Sequence, residues 1–375
     1  MSVTLAEFPL RPASNREPLL RLLLAGGPRA SRRRLLESPG LPPGIELAAR
    51  MAAVPRAVLV RCEAWLDQAG HHLLAWDDPR YPPLLRQCPD APLGLFVAGD
   101  PDLLWRPALA VVGSRSASAG GRDNARDFSR AFCRAGLVVA SGMAAGIDGA
   151  AHEAALDSGG TTIAVLGTGP DLPYPRHHAR LMERVAAQGA VVSEHPPGTP
   201  PRAQNFPGRN RIIAGLALGT LVVEAALRSG ALITARLAAE YGREVFAVPG
   251  SIHQPQARGC HRLIREGAQL VEQPLEVLEG IAGLAGRLAL ALEPDVAPEG
   301  ASAGGTETAP PLSADHQRLW RALGHDPIPM DVLVERTGLT PASLSSMLLA
   351  MELDGRVVAE HGRYARRSTA GASAA

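Results

Sequence analysis

The chain has 375 residues, carries 38 basic and 37 acidic side chains, and nets only +1. That length favours two or three domains, and the 46% apolar content is enough to bury a sizeable core. The near-neutral balance excludes neither nucleic acid nor any other partner, but the sequence contains no lysine, so every cation is a planar guanidinium suited to phosphate forks and base stacking. A biased genome, which the abundance of Ala, Gly and Pro also reflects, explains that usage as readily as function does. Cys62, Cys88, Cys133 and Cys260 form no C-x-x-C pair, so neither a zinc site nor a disulfide framework is indicated, which fits a reducing cytoplasm. The N-terminus lacks the basic and apolar regions of a signal peptide, and no apolar segment is long enough for membrane insertion.

In chain order, residues 1–100 read as a helical domain plus connector. The leucine run 19–24, the turn Ala25-Gly26-Gly27-Pro28-Arg29 and the stretch 32–36 suggest helix, glycine turn, helix. This is a sterile-alpha-motif-like or helix-hairpin-helix-like plan; it serves either phosphate binding through turn amides or plain packing. The proline-rich stretch 79–92 reads as an extended connector. Over 101–280 the pattern changes to short apolar runs alternating with amphipathic helices. Strands are expected at 108–112, 137–140, 161–166, 190–193, 220–223, 244–248 and 269–271. Helices are expected near 119–134, 147–158, 177–188, 209–218, 229–241 and 261–266. The runs are continuously apolar, as in strands covered on both faces, so the expected fold is α/β with a doubly wound, Rossmann-like parallel sheet. Residues 281–312 read as a linker and 368–375 as a tail. Between them, 313–367 offers helical runs at 314–322, 330–337 and 341–354 and a hairpin at 355–364, the plan of a winged helix.

Ligands of open parallel sheets bind beyond the carboxyl ends of the strands. The segments there are Gly113-Ser114-Arg115-Ser116, Ser141-Gly142-Met143-Ala144, Gly167-Thr168-Gly169-Pro170-Asp171, Glu194-His195 leading to Asn205-Phe206-Pro207-Gly208-Arg209-Asn210-Arg211, Glu224 with Ser229-Gly230, and Pro249-Gly250-Ser251. Glycine admits close approach of an anion, and helix N-terminal amides then point at it. Each of Ser114, Ser141 and Ser229 alone suits plain capping; together on one rim they suggest an anion site. No loop completes G-x-G-x-x-G, and without lysine no Walker A motif exists, so a nucleoside-triphosphate motor is not expected. Arg115 stands at the first strand-to-helix turn, where a guanidinium suits a phosphate fork. Phe206 beside Arg209 and Arg211 supplies a π-face and cations, the needs of single-strand binding, though Phe206 serves equally as a core anchor. Asp148 and His152, at i and i+4, lack a third metal ligand and read as a structural pair or a helix-start Asp. Glu224 suits a catalytic carboxylate or a group that orients Arg228, and His177-His178 an exposed helix face.

At these residues the sequence resembles the DprA family, also called Smf, DNA-processing proteins of bacterial transformation. The matching stretches include Val111–Arg115, Ser141–Asp148 with Ala151-His152, Ala164–Asp171 with Tyr174-Pro175, Ser193-Glu194, Asn205–Leu216, Leu221–Ala225, Ser229–Ala235 and Gly242–Gly250. The resemblance spans the central domain in order and implies a non-enzymatic protein without cofactor or metal. Such a protein would bind and shield incoming single-stranded DNA, load the RecA recombinase, and act as a homodimer. It implies DNA contacts by Gly113, Ser114, Arg115, Ser141, Gly142, Gly167, Asn205, Phe206, Arg209, Asn210 and Arg211. Some members carry a lysine shortly before the Phe-Pro; here Arg202 stands in that stretch. The other reading is a nucleoside-monophosphate phosphoribohydrolase of the lysine-decarboxylase-like type, with Glu224 catalytic, although Ala217-Leu218-Gly219-Thr220 lacks the paired glycines of that loop. The winged helix is expected to touch duplex DNA or protein through the 341–354 helix, helped by Arg356, Arg363, Arg366 and Arg367, or to serve as a dimer or packing module.

Overall fold

A computed structural model describes residues 16–38, 40–282, 314–323, 328–353, 357–360 and 363–366. The chain divides into two compact units, Met1–Pro294 and Asp295–Ala375. The expected linker, apart from residues 281 and 282, and the expected tail lie outside the described residues.

The first unit is built on a nine-stranded sheet: β1 (His71–Ala75), β2 (Gly94–Gly99), β3 (Ala108–Val112), β4 (Val138–Ser141), β5 (Thr162–Leu166), β6 (Ala190–Ser193), β7 (Gly219–Val222), β8 (Glu244–Ala247) and β9 (Gln269–Leu270). Their order is β1-β2-β6-β5-β4-β3-β7-β8-β9, with β3 to β9 parallel and β1 and β2 antiparallel at one edge. The parallel order runs outward from β3 in both directions, so the switch point of the winding lies between β3 and β7. Along β3, Ala108, Ala110 and Val112 enter one core while Leu109 and Val111 enter another. Alternate residues therefore meet helices on opposite faces, which is why the strands read as unbroken apolar runs.

Three of the six helices that cover the sheet start at a capping serine or a glycine, namely Ser118, Gly146 and Gly230. The six are α6 (Ala119–Arg134), α7 (Ile147–Asp157), α8 (Ala179–Gln188), α9 (Asn205–Leu216), α10 (Ala231–Glu240) and α11 (Arg258–Arg265). Ser118 caps α6 by accepting from the Gly121 amide at 2.9 Å, and Gly121, Ala125, Phe128 and Phe132 form its buried stripe. The spacing of those four is helical, and Ala125, Phe128 and Phe132 join Leu109, Val111 and Val139 in one core.

Residues 1–100 do not form a separate domain. Helices α1 (Glu17–Leu24), α2 (Arg29–Glu37), α3 (Ile45–Ala52) and α4 (Arg56–Leu66) do come first, with the glycine turn between α1 and α2 as expected. However, β1 and β2 extend the central sheet, and Leu20, Leu59, Cys62 and Trp65 share a core with Phe96, Leu166 and Val191. At the glycine turn Arg32 donates to the carbonyls of Leu23 and Gly27. Nor is 79–92 an extended connector, because Tyr81 is fully buried, donates to the Pro92 carbonyl at 2.6 Å, and precedes the short helix α5 (Pro83–Arg86), whose Leu85 packs on Gly215 of α9.

In the second unit, helices Ala314–Ala322, Met330–Thr337 and Pro341–Leu353 precede the antiparallel strands Val357–Glu360 and Arg363–Arg366. A two-residue strand, Ile328–Pro329, joins this hairpin as a third member. Leu319, Leu333, Leu344, Leu348, Met351 and Val357 form its core. This is the winged-helix plan. Arg356, Arg367 and the side chains of Arg363 and Arg366 lie outside the described residues.

Candidate functional site

A cleft of about 720 Å³ opens at the carboxyl ends of β3 and β7, at the switch point, where open parallel sheets place their ligands. Three segments frame it: the loop after β3 with Gly113, Ser114 and Arg115; the start of α9 with Phe206, Arg209 and Asn210; and the loop after β7 with Arg228 and Ser229. Tyr174 closes one side.

The cleft combines rings with unpaired cations. Phe206 is half-buried and lies 5.1 Å from the ring of Tyr174, itself 40% exposed. The Arg115 guanidinium sits over the Phe206 ring at 5.5 Å, a cation–π contact that leaves its N–H groups free. Arg115 and Arg228 are both exposed, and among the described residues neither takes part in an ion pair. The sequence reading weighed Arg228 only as a partner of Glu224, and it missed Tyr174 as a site residue. The signal for both was their position just beyond β7 and β5, at the same sheet edge.

Arg209, expected to offer its cation to a strand, is buried and forms the floor. It is only 5% exposed; its Nη1 donates to the Val165 carbonyl at 2.8 Å, and its Nε has no partner. Burial pushes its guanidinium down to about 10, so it remains charged at neutral pH. Asp148 faces it from α7, and burial raises that carboxyl while Arg209 and two amides oppose the rise. Those amides, of Gly142 at 3.1 Å and Ala144 at 3.4 Å, both donate to Asp148. The Ser141-Gly142 loop therefore spends its amides on the Asp148 carboxylate, which lines the cleft, and does not line the cleft itself. Gly142 is needed for a different reason: a Cβ there would lie 1.6 Å from Arg209 Nη1.

The other expected contacts separate in the same way. Ser141 is fully buried and donates to the Val111 carbonyl at 2.6 Å. Gly167 lies against the Phe206 ring and accepts from Asn205 Nδ2 at 3.0 Å, so both residues hold the start of α9 rather than line the cleft. Asn210 lines the cleft and donates to the Gly230 carbonyl at 3.1 Å, tying α9 to the loop after β7. Ser114 and Ser229 line it too, each accepting a weak bond from an amide two residues on. Arg211 is a structural clamp: Nη2 reaches both Glu194 oxygens at 2.7 and 2.6 Å, and Nε donates to the Asp90 carbonyl at 2.9 Å. Arg202 is exposed but lines a different cleft.

Two acid–base candidates resolve into packing. Glu224 accepts from the amide and hydroxyl of Ser118 and from Gln254, so it buttresses the cap of α6 and does not line the cleft. Its proximity also dictates Gly121, where a Cβ would strike the carboxylate. His152 does not pair with Asp148. Its Nδ1 lies 2.7 Å from the Thr162 hydroxyl, which itself donates to the Val139 carbonyl, so Nδ1 carries the proton. His178, expected on an exposed face, is half-buried and bonds the Met143 carbonyl. Among the described residues, no His, Cys, Asp and Glu group could hold a metal ion, and no helix is long and apolar enough to cross a membrane. Burial raises all four cysteine thiols.

Comparison with known proteins places the chain in a family. The model described as DNA recombination-mediator protein A matches residues 72–282, and the DprA winged helix domain matches residues 304–363. The Smf protein of Escherichia coli is 45% identical over 322 residues, 85% of this chain and 83% of that one. The X-ray structure of DNA processing protein A from Streptococcus pneumoniae is 38% identical with a TM-score of 0.64, covering 71% of this chain and 97% of that one. A DNA processing protein A structure from Helicobacter pylori, described for its single-stranded DNA binding mode, is 26% identical with a TM-score of 0.51, covering 58% and 96%.

Proposed function

Because the chain belongs to the DNA recombination-mediator protein A family, also known as DprA or Smf, we propose that it binds single-stranded DNA in the cleft between β3 and β7. The observation that carries this reading is the pairing of Arg115 and Arg228, which have no ion-pair partner among the described residues, with the exposed Tyr174 and half-buried Phe206 rings. A strand needs both: cations along the backbone and π-faces for the bases, whatever the sequence. Arg115 and Arg228 take phosphates, Phe206 and Tyr174 take a base, and Arg209 adds positive potential from the floor. Asn210 holds the third wall in place. The Helicobacter pylori relative supports the choice of ligand.

On the same reading the protein shields incoming DNA during transformation and loads RecA onto it as a cytoplasmic homodimer, without chemistry of its own. The winged-helix unit contributes duplex or protein contacts; its Pro341–Leu353 helix contains no basic residue, so duplex affinity rests on the wing. Fluorescence anisotropy with a labelled oligothymidylate at about 0.1 M salt tests the site. Arg115→Ala weakens binding by roughly tenfold or more and lowers the salt dependence, with an unchanged melting temperature. Unchanged affinity removes the assignment. Strand exchange by RecA on DNA coated with a single-strand-binding protein, with and without this protein, tests the loading role.

A further inference from the structure

A second cleft, of about 630 Å³, lies between the N-terminal helices and the segment that joins β6 to α9. Three arginines line it, and they differ in availability. Arg50 is held by Glu46 at 2.9 Å, whereas Arg61 of α4 and Arg202 are exposed and, among the described residues, belong to no ion pair. The Arg61 guanidinium lies against the backbone of Gly198, where a Cβ would come within 2.7 Å of Nη1. The φ of +78° at Gly198 independently reserves that position for glycine. The Gly198 amide donates to Asp171 at 2.8 Å, which fixes the loop beneath Arg61 and occupies that carboxylate with a backbone partner. Pro196, Pro197 and Pro200 add flat apolar surface.

The two clefts share a wall one residue thick. Pro201 and Ala203 line the first, while Arg202 between them lines the second. Two adjoining surface clefts with unneutralised guanidinium groups on both sides of one thin wall fit a polymer of phosphates better than two separate small ligands.

We propose that a single strand seated in the first cleft crosses the 201–203 segment and continues into the second, where Arg61 and Arg202 take its phosphates. The N-terminal helical region then lengthens the DNA footprint as well as packing against the sheet. This rests on the reading of the first cleft given above, and the experiment separates the two. Full-length protein is titrated with oligothymidylates of about five and about twenty nucleotides, one near the lower end of single-strand site sizes and one beyond the upper end. Arg61→Gln combined with Arg202→Gln weakens binding of the longer strand by roughly tenfold and leaves the shorter one unchanged. The slope of log affinity against log salt for the longer strand falls by about 1.4, the value for two lost phosphate contacts. The proposal is overturned if both lengths bind as before, or if both weaken equally. Arg115→Ala weakens both lengths if the first cleft is the primary site; if it weakens neither, the first-cleft reading fails by itself. Should Arg61→Gln lower the melting temperature, Arg202→Gln alone, on an exposed loop, carries the same length comparison.

Discussion

The loop after β3 and the start of α9 both carry arginines, and they use them in opposite ways. Arg115 meets no ion-pairing carboxylate and rests on an aromatic face, so its charge is available to a ligand. Arg211, two turns of sequence logic away in a stretch that looks more basic, is clamped by Glu194 and the Asp90 carbonyl, and its side chain is only 12% exposed. Arg209 lies between these cases, buried under the cleft with one carbonyl partner. Density of arginines in the sequence therefore does not measure the charge a site offers. What counts is which acceptors the fold brings to each guanidinium, because a paired or carbonyl-bound arginine is already satisfied.

Three experiments break or sharpen this contrast, apart from the binding tests above. The largest effect belongs to Gly142→Ala. The new Cβ cannot coexist with Arg209 Nη1, so the guanidinium must leave its buried seat, at a cost of about 3 kcal/mol in urea unfolding. DNA affinity falls as well, because the floor of the cleft is displaced. A melting temperature equal to that of the parent would show that Arg209 is not held where the structure places it.

Arg211→Ala should lower stability by about 2 kcal/mol, less than a fully buried pair because Glu194 is one-third exposed. At ionic strengths where Arg115→Ala has lost most binding, Arg211→Ala should keep it. The pair thus forms a crossed test: one variant melts normally and binds poorly, the other melts early and binds well. The reverse outcome would exchange their roles.

The smallest effect is the pH dependence of His152. Burial, with His178 and Arg209 adding to it, holds this imidazole down at about 3. The unfolded chain takes up a proton as pH falls through about 6.5, and the folded chain does not until near the lower value. Stability contributed by the neutral ring is therefore intact above pH ~6.5 and is lost progressively on acidification. His152→Leu should flatten the fall in melting temperature between about pH 7 and 5; an identical slope would assign the acid sensitivity to other groups.

Much of the architecture was legible beforehand because its causes are local. Apolar runs of strand length separated by helical stripes gave each β-strand from β3 to β9 within a residue or so, whereas the Ser118 cap of α6 was seen only in the structure. The N-terminal boundary was not legible. Leu95, Phe96 and Val97 look like any short apolar run, and only pairing of β2 with β6 makes them part of the sheet. The proline-rich 79–92 stretch misled for a related reason: Tyr81 and Leu85 find burial against α9, which lies far along the chain. Within the site, Arg115 and Phe206 were named from sequence and line the cleft, whereas Ser141, Gly142, Gly167, Asn205 and Arg211 do supporting work.

The sequence by itself determined the doubly wound class, the edge of the sheet where a ligand would sit, and the membership that its ordered glycine and arginine stretches announced. These follow from periodicity and from residues adjacent in the chain. Only the tertiary structure decided which arginines are free. It brought Asp148 to the amides after β4, Glu194 to Arg211, and Ser118 to Glu224. It also left Arg115 and Arg228, with Arg61 and Arg202 beyond the wall, unpaired among the described residues. The physical reason is that a charge is neutralised through space, by whichever partners the fold brings to it, and spacing along a chain carries no record of them.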